Sequence, residues 1–534
     1  VLRVRLLGTV PFHEASVLQH ALVRSDDDYL LILQHPHVYT LGSHADPAHV
    51  LVDPASVGAG LEQTDRGGDV TYHGPGQLVV YPIVTVPDDP SAGPAHVHRM
   101  EELVISVLHD LGLPNVSRTD EYPGVWVDAA GPNPRKIAAI GVRTVKGAPG
   151  TRRTLHGVAL NVDSDLSMFN HIVPCGISDR GVTSLRSEGV DRSMGDVTEI
   201  MVHHAIRIFG PDATVDRQGV IEGITSSTAI EERPLLKRLR QAGVAPESGL
   251  QIEQRKPEWL RVPVRMGKEY RSLGQTVRDL GLVTVCEEAG CPNIYECWSD
   301  GTATFMINGE RCTRACGFCK VDTRHPMPLS PDEPDRVARA VEKMGLEHAV
   351  ITCVARDDLP DGGAGAMAAT IEAIRDRVPG TQVEVLISDC RGDAASLSTI
   401  FDARPDVLNH NIETVARLQR AVRPSAGYAR SLGVLARAVQ AGLVTKSGLM
   451  VGLGEDEGEV VATMADLQAV GVSIITIGQY IRPSRDHLPV TRYWEPAAFD
   501  RLKQIGADMG ITHVEASPLT RSSYHARDAA KSVV

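Results

Sequence analysis

The 534-residue chain is expected to fold as two domains, an α+β domain followed by a parallel (β/α) barrel, and three features of the sequence predict this. In the first half, short apolar runs and helical repeats are mixed without regular alternation. In the second half, strand-like runs alternate with stretches long enough for a helix, the pattern of successive βαβ units. Between them, from about Pro211 to Leu250, apolar periodicity fades into Thr225-Ser226-Ser227-Thr228 and the charged Glu231-Glu232-Arg233, as at a domain boundary. The expected limits are residues 1–212, a linker over 213–250, and 251–534. Aromatic residues are only 4 % of the chain, so both cores must be built from aliphatic side chains and alanine.

Taken in order, Val4–Leu7, Tyr29–Gln34 and Gln77–Val86 read as strands bounded by turn residues, while Phe12–Val23 and Val97–Leu111 carry helical spacing. The run Arg66-Gly67-Gly68-Asp69-Val70-Thr71-Tyr72-His73-Gly74-Pro75-Gly76-Gln77 lies beside the third strand. Its small and ring-constrained residues let backbone approach a ligand closely, although a tight strand connection has the same composition. Lys136–Val142 is an apolar strand opened by a lysine, and His156–Val162 is a further strand. Pro174-Cys175-Gly176 holds the only cysteine of the first half. A lone cysteine is commonly a small buried hydrophobe. Here proline and glycine flank it in a loop, where a substrate can reach a thiol. A nearby ammonium would favour the thiolate, the attacking form. His35 and His37, around Pro36, lack acidic partners at metal-ligand spacing and read as structural or surface residues. In the junction, Leu235–Leu239 is expected as a short basic helix with a solvated face.

In the second half the strand candidates are Thr302–Ile307, His348–Val354, Gln382–Ile387, Asp406–Asn411, Lys446–Leu453, Ser473–Gln479 and Thr512–Glu515, with helical stretches such as Ala364–Val378 and Glu457–Val470 between them. Polar clusters sit at the strand ends: Arg356–Gly363, Asn409–Glu413, Gly452–Glu455 and Gln479–Pro483. Each alone is an ordinary turn. Their shared placement argues for a ligand surface at the end where parallel barrels carry their sites.

Six of the nine cysteines fall between Cys286 and Cys319, as Cys286-x4-Cys291-x5-Cys297 and Cys312-x3-Cys316-x2-Cys319. Structural zinc prefers four ligands arriving as two close pairs, which triplets supply poorly. A disulfide framework does not suit a long chain with few cysteines and no secretory signal. A four-iron cluster held by three cysteines leaves one iron open for another ligand or a substrate. Cys353 and Cys390 lie outside both triplets and read as core thiols.

The second triplet, with Cys316-Gly317-Phe318-Cys319, resembles the signature of radical S-adenosylmethionine enzymes. Both triplets in this order, with Arg521-Ser522-Ser523-Tyr524, are similar to lipoyl synthases over about Gln254 to Ala526. That resemblance implies a [4Fe-4S] cluster on Cys312, Cys316 and Cys319 whose open iron chelates S-adenosylmethionine and, on reduction, yields a 5′-deoxyadenosyl radical. It also implies a second [4Fe-4S] cluster on Cys286, Cys291, Cys297 and Ser523, with Ser522 as the less favoured serine, consumed as the sulfur source for C6 and C8 of an octanoyl chain. The strand-end loops would then bind S-adenosylmethionine through Gly362, Gly363, Glu413 and Glu455.

The first half, from about Arg5 to Gly210, is similar to octanoyltransferases, relatives of the biotin and lipoate protein ligases. The resemblance puts the acyl-thioester on Cys175 and the lysine that lowers the thiol pKa on Lys136. It puts acyl binding on Arg66, Gly67, Gly68, Asp69, Val70, Thr71, Tyr72 and His73, on Ala139, Ile140 and Gly141, and on Gly157, Val158 and Ala159. His73 stays open between a general base and a hydrogen-bonding loop residue. The implied partners are octanoyl-acyl carrier protein, the lipoyl carrier domains of 2-oxoacid dehydrogenases and the glycine cleavage H protein, and an electron donor such as ferredoxin or flavodoxin. Two usually separate enzymes would share one chain, a bifunctional lipoate biosynthesis enzyme.

A net charge of −13 argues against nucleic acid and anionic membrane as general partners. No apolar run approaches the roughly 20 residues that span a bilayer, and the opening Val1–Gly8 is too short and too charged for a signal peptide, so a cytoplasmic location is expected. The competing reading is an iron–sulfur redox protein with a non-catalytic acyl-binding module in front. It would have no use for Lys136, Cys175 or Ser523.

Overall fold

The computed structural model describes residues 1–176, 180–219, 233–252, 254–261, 275, 277–284, 293–294, 302–531 and 533. It divides into two units, Val1–Thr228 and Ala229–Val534. The first unit contains strands β1 (Leu2–Thr9), β2 (Asp28–Gln34), β3 (Val38–Leu41), β4 (Gly60–Gln63), β5 (Val70–His73), β6 (Gln77–Ile83) and β7 (Thr85–Pro87). β8 (Val116–Ser117), β9 (Val125–Val127), β10 (Arg135–Lys146), β11 (Thr151–Asn161), β12 (Gly181–Val182) and β13 (Val215–Gly219) complete it. Ten of these strands form one mixed sheet with the central order β13-β1-β2-β6-β11-β10-β9-β8, and a three-stranded sheet β4-β3-β5 stands apart.

Strand alternation divides the work of the two faces of the large sheet. Leu2 and Val4 of β1, Leu30 and Ile32 of β2, and Leu78 and Val80 of β6 join one core with the helices α2 (Ala92–Asp110) and α3 (Met194–Phe209). The intervening Val79 and Tyr81 instead face the space beside Phe12, the first residue of helix α1 (Phe12–Leu22). α3 starts where it does because the Ser193 hydroxyl accepts the backbone N–H of Asp196, capping an end whose N–H groups lack intrahelical partners.

Two features of the junction differ from expectation. Val215–Gly219, inside the stretch expected as linker, is an edge strand paired in parallel with β1. Its sequence, Val-Asp-Arg-Gln-Gly, has no apolar period, and long-range ion pairs help hold it: Asp216 meets Arg3 at 2.9 Å and Arg5 at 2.8 Å. Further on, the expected basic helix exists as α4 (Pro234–Gln241), but Leu239 is fully buried, and Leu235 packs so closely on Gly317 that a Cβ there would fall 2.7 Å from its methyl. This end of the junction is therefore part of the second unit.

The second unit carries β14 (Val283–Thr284), antiparallel to β15 (Thr302–Ile307), and then β16 (His348–Cys353), β17 (Gln382–Leu386), β18 (Val407–Asn409), β19 (Thr445–Val451), β20 (Ile474–Gln479) and β21 (His513–Ser517), all parallel and side by side in chain order. Helices α5 (Glu333–Met344), α6 (Ala364–Arg377), α7 (Ala394–Asp402), α8 (Tyr428–Gln440), α9 (Glu457–Ala469) and α10 (Pro496–Asp508) fall between consecutive strands. This is the β/α repeat expected from the alternation of patterns, in the partial (β/α) barrel form that the radical SAM resemblance implies. Strands buried on both faces read as continuous apolar runs, and β15, β18 and β20 are buried along their whole length. No described helix is long and apolar enough to cross a membrane.

Two candidate active sites

The first site is a slot between α1, the β10–β11 hairpin, β6 and β5, with about 410 Å³ of space when its open mouth is counted. Two glycines make room for it. Gly141 and Gly157 face each other in register across the hairpin. A Cβ on Gly157 would fall 2.0 Å from the Val80 carbonyl oxygen, and one on Gly141 would fall 3.0 Å from Cδ of Arg66. Both expected hairpin triplets, Ala139-Ile140-Gly141 and Gly157-Val158-Ala159, line the slot, as do Arg66, Thr71 and His73.

The glycine-rich run behaves differently from a plain loop because Val70–His73 is a strand paired with β3. Alternation therefore sends Thr71 and His73 to the slot, while Val70 and Tyr72 pack with Tyr39, Met168 and Phe169 under the small sheet. Gly67, Gly68 and Asp69 are not among the lining residues. The Arg66 guanidinium is held by chain oxygens, with Nη2 2.6 Å from the Thr40 carbonyl and Nη1 3.1 Å from that of Gly67. His73 is buried, with Nδ1 2.7 Å from Oε1 of Gln77. Burial, assisted by His35 and Arg66, pushes its pKa well below the usual value. An imidazole held neutral in that way is a poor proton acceptor, which favours the hydrogen-bonding role. Phe12, Val79, Tyr81 and His156 also line the slot and were not anticipated. Only His156 left a trace in the sequence, since it immediately precedes Gly157.

Pro174-Cys175-Gly176 forms a single 3₁₀ turn. Upstream, the Val173 N–H donates to the His49 carbonyl at 2.8 Å. Downstream, β12 pairs with Arg135–Lys136, and the Thr183 N–H donates to the Lys136 carbonyl at 2.9 Å. The turn is thus pinned at both ends, and its exit runs along the strand that carries Lys136. Lys136 is 7 % exposed, with Nζ 4.7 Å from the centre of the Trp126 ring. The side chain of Cys175 and residues 177–179 lie outside the described part. A second unanticipated feature stands beside the turn: His49 Nδ1 and Asp69 Oδ2 are 2.5 Å apart, and a Cβ on Gly176 would meet that oxygen at 3.0 Å.

The second site lies at the C-terminal edge of the parallel strands. Cys312, Cys316 and Cys319 follow β15, in a turn closed by the bridge between Arg311 and Asp322. The Arg314 N–H lies 3.4 Å from Sγ of Cys312, and the Cys319 N–H donates to the Cys316 carbonyl at 3.1 Å. Burial pushes the Cys316 thiol up to about 12 and raises that of Cys319, with Glu413 and the neighbouring cysteines adding to both. The other polar clusters converge on the same edge: Gly362 and Gly363 after β16, Asn411 and Glu413 after β18, and Glu455 after β19.

Glu413 is half-buried at φ +66°, a left-handed conformation that costs a non-glycine residue energy, and such strain gathers at functional sites. Its Oε1 accepts from Asn411 Nδ2 at 3.1 Å. The Glu455 carboxylate is engaged within its own turn, accepting the N–H groups of Gly452 at 2.5 Å and Leu453 at 2.9 Å. Cys390 is buried and its thiol raised to about 11 by burial, and burial raises that of Cys353 to about 12, as inert core thiols require.

The amino-acid sequence is similar to those of known proteins. Over 275 residues, 51 % of this chain, it is 59 % identical to a lipoyl synthase from Rubrobacter xylanophilus, covering 86 % of that protein. It is 54 % identical over 273 residues, also 51 % of this chain, to a lipoyl synthase from Mycobacterium ulcerans, covering 84 % of that protein. The chain belongs to the lipoyl synthase family. Residues 242–291 match the N-terminal domain of lipoyl synthase of the radical SAM family, and residues 306–467 match the radical SAM superfamily. Ahead of this lipoyl synthase half, residues 13–206 match the lipoyl protein ligase A/B catalytic domain. A bipartite lipoate protein ligase from Thermoplasma acidophilum is similar in structure over 41 % of this chain and 87 % of that one, at 20 % identity and a TM-score of 0.33. The chain is therefore an enzyme of lipoate biosynthesis, and its radical SAM half implies S-adenosylmethionine and iron–sulfur clusters.

The residues present suit those cofactors. Burial disfavours the thiolates of Cys316 and Cys319, and the positive charge of bound iron would offset that penalty. At the C-terminal ends of β15 and β18, Oδ1 of Asn308, Asn409 and Asn411 are buried without a hydrogen-bond partner, an arrangement that costs free energy unless a ligand donates to them. S-Adenosylmethionine offers such donors in its amines and ribose hydroxyls. Of the first cysteine triplet, Cys286, Cys291 and Cys297 lie outside the described residues. Asn293, between the second and third, is described, and its Nδ2 donates to the Leu519 carbonyl at 2.7 Å. That bond ties Asn293 to Leu519, three positions before Ser522.

Proposed function

We propose that this chain makes lipoyl groups on carrier proteins in two stages. In the first, the Cys175 thiolate attacks the carbonyl carbon of octanoyl-acyl carrier protein, and the carrier protein leaves as its thiol. In the second half-reaction, the ε-amine of a lipoyl carrier lysine attacks the Cys175 thioester, forming an amide and releasing the thiol. Covalent catalysis divides one hard transfer into two easier ones. Lys136, a buried cation on the strand that the cysteine turn runs along, favours the thiolate. The slot beside Gly141 and Gly157 takes the octanoyl chain, and His73, bonded to Gln77, keeps the turn after β5 in shape.

In the second stage two sulfur atoms enter at C6 and C8. Cys312, Cys316 and Cys319 hold one [4Fe-4S] cluster, and Gly362, Gly363 and Glu413 hold S-adenosylmethionine, with Glu455 shaping the neighbouring turn. Together these groups supply one-electron chemistry that removes hydrogen from an unactivated methylene. Cys286, Cys291, Cys297 and Ser523 hold a second [4Fe-4S] cluster that provides the sulfur. Partners in this reading are octanoyl-acyl carrier protein, the lipoyl domains of 2-oxoacid dehydrogenases, the glycine cleavage H protein, and a ferredoxin or flavodoxin.

The observation that carries this reading is the convergence of both expected hairpin triplets with Thr71 and His73 on one slot, in a chain whose other half belongs to the lipoyl synthase family. It is tested by the intact mass of an unmodified lipoyl carrier domain after anaerobic incubation with the protein, octanoyl-acyl carrier protein, S-adenosylmethionine and a strong reductant. A lipoylated product supports both stages. Conversion of a pre-octanoylated domain alone would sink the first stage. Undiminished acyl transfer by Cys175→Ser would point instead to a ligase-type first half without a cysteine nucleophile.

A further inference from the structure

Arg314 sits between two of the three cysteines, yet its side chain turns into the protein and is 6 % exposed. Burying a guanidinium is unfavourable unless carboxylates replace its water, and here two do. Nε and Nη2 meet Oδ2 and Oδ1 of Asp357 at 2.7 and 2.8 Å, a bidentate pair, and Nη2 also meets Oδ1 of Asp389 at 2.6 Å. Asp389 is completely buried and is approached from its other oxygen by Nη1 of Arg430 at 3.3 Å.

Thr313 makes parallel attachments. Its N–H and hydroxyl donate to the Ala355 carbonyl at 3.0 and 2.9 Å, and its hydroxyl accepts from the Asp357 N–H at 3.0 Å. Two cations and two carboxylates sum to no net charge. The network therefore adds geometry without adding net charge.

The partners identify what is being aligned. Asp357 lies on the loop after β16, five positions before Gly362, and Asp389 lies on the loop after β17. We propose that Arg314 is a positioning residue that fastens the turn of Cys312 and Cys316 to the loop of Gly362 and Gly363, so that the iron left open by three cysteines faces the S-adenosylmethionine site. This rests on the reading of Cys312, Cys316 and Cys319 as cluster ligands. The planar fork of arginine is required, because lysine offers a point charge and cannot grip Asp357 with two parallel bonds while reaching Asp389.

The test uses the full chain, reconstituted anaerobically, in the variants Arg314→Lys and Asp357→Asn. The readouts are bound iron, the electron paramagnetic resonance spectrum of the reduced cluster with and without S-adenosylmethionine, and the S-adenosylmethionine dissociation constant. Iron content near that of the unmodified protein, with loss of the S-adenosylmethionine-induced spectral change and about tenfold weaker binding, would support the proposal in either variant. An unaltered spectral change and affinity in both would overturn it. A structural role confined to folding would lower iron and leave the response of the remaining cluster intact, which also overturns it. Should removal of all three cysteines leave the S-adenosylmethionine-responsive signal in place, the cluster reading itself fails.

Discussion

The residues around the slot of the first unit come from as far apart as Phe12 and Ala159, whereas Cys312, Cys316 and Cys319 lie within eight residues of one another. The slot takes its shape from strand register: which residues face it is decided by pairings such as Gly141 with Gly157 and by alternation along β5 and β6. The cysteine turn takes its composition from local chemistry, and only its orientation depends on distant groups, Asp357 and Asp389 among them. A site of the first kind fails when a strand shifts. One of the second kind fails when a single cysteine is removed.

The largest expected effects separate the two sites outright. Cys316→Ala should abolish sulfur insertion, by at least about 10³-fold, and lower bound iron, while octanoyl transfer to the carrier continues. Cys175→Ala should do the reverse by a similar factor, with sulfur insertion into a pre-octanoylated carrier unchanged. Mass spectrometry of the carrier in both variants checks this, and parallel loss of both activities in either variant would show that the two sites do not act independently.

A smaller effect tests the stability of the second unit alone. Inside its barrel, Nζ of Lys446 meets the two oxygens of Glu384 at 2.9 and 3.2 Å, and neither residue has appreciable exposure. Lys446→Met leaves a buried carboxylate without its cation, which should cost about 3–5 kcal/mol. Calorimetry should show one transition moving while a first-unit transition stays in place. Glu384→Gln combined with Lys446→Met should recover part of the loss, because the orphaned charge is then gone.

Smaller again is the cost of adding a methyl group. Gly157→Ala drives Cβ into the Val80 carbonyl and should cost about 1–3 kcal/mol, together with loss of octanoyl transfer, since the hairpin wall must move. Gly309→Ala, beside the cysteine turn, meets nothing within 4 Å and pays only for its φ of +86°, about 1 kcal/mol. If the two changes were equal in stability and activity, register would not be what defines the slot.

The same contrast explains what could be read from the sequence. The cysteine triplets declare themselves because their chemistry is in their spacing, and the barrel does so because each strand and helix carries its own period. The β5 strand within the glycine-rich run does not, since four residues are too few to show alternation and its partner β3 is set by the fold. β13 is invisible for a different reason: its strand state rests on pairing with β1 and on Asp216 meeting Arg3 and Arg5, more than 200 positions away. Long-range polar contacts also hid the His49–Asp69 pair and the Arg314 network. Leu235 and Leu239 looked like part of a solvated helix because nothing in the junction names the surface that covers them.

Acid should distinguish the units by degree. In the first unit burial holds His35 down to about 4 and His96 to about 3, and it lowers His73 and His156. In the second, among the described residues, the lowered histidines are His410, at about 4, and His513. Because each folded value lies below the unfolded value of about 6.5, the unfolded chain binds more protons through this window. Stability is full above about pH 6.5 and is lost as pH falls from there towards about 4. For His35 the loss by pH 5 is about 2 kcal/mol. With more such histidines, the first unit should lose more stability between pH 7 and 5 than the second, and thermal unfolding at intervals across that range would show it. His35→Gln should flatten the pH dependence of the first unit, at the expense of the contacts its ring makes with the Val10 carbonyl and the Tyr81 hydroxyl at higher pH. An unchanged slope in that variant would mean that protons enter elsewhere.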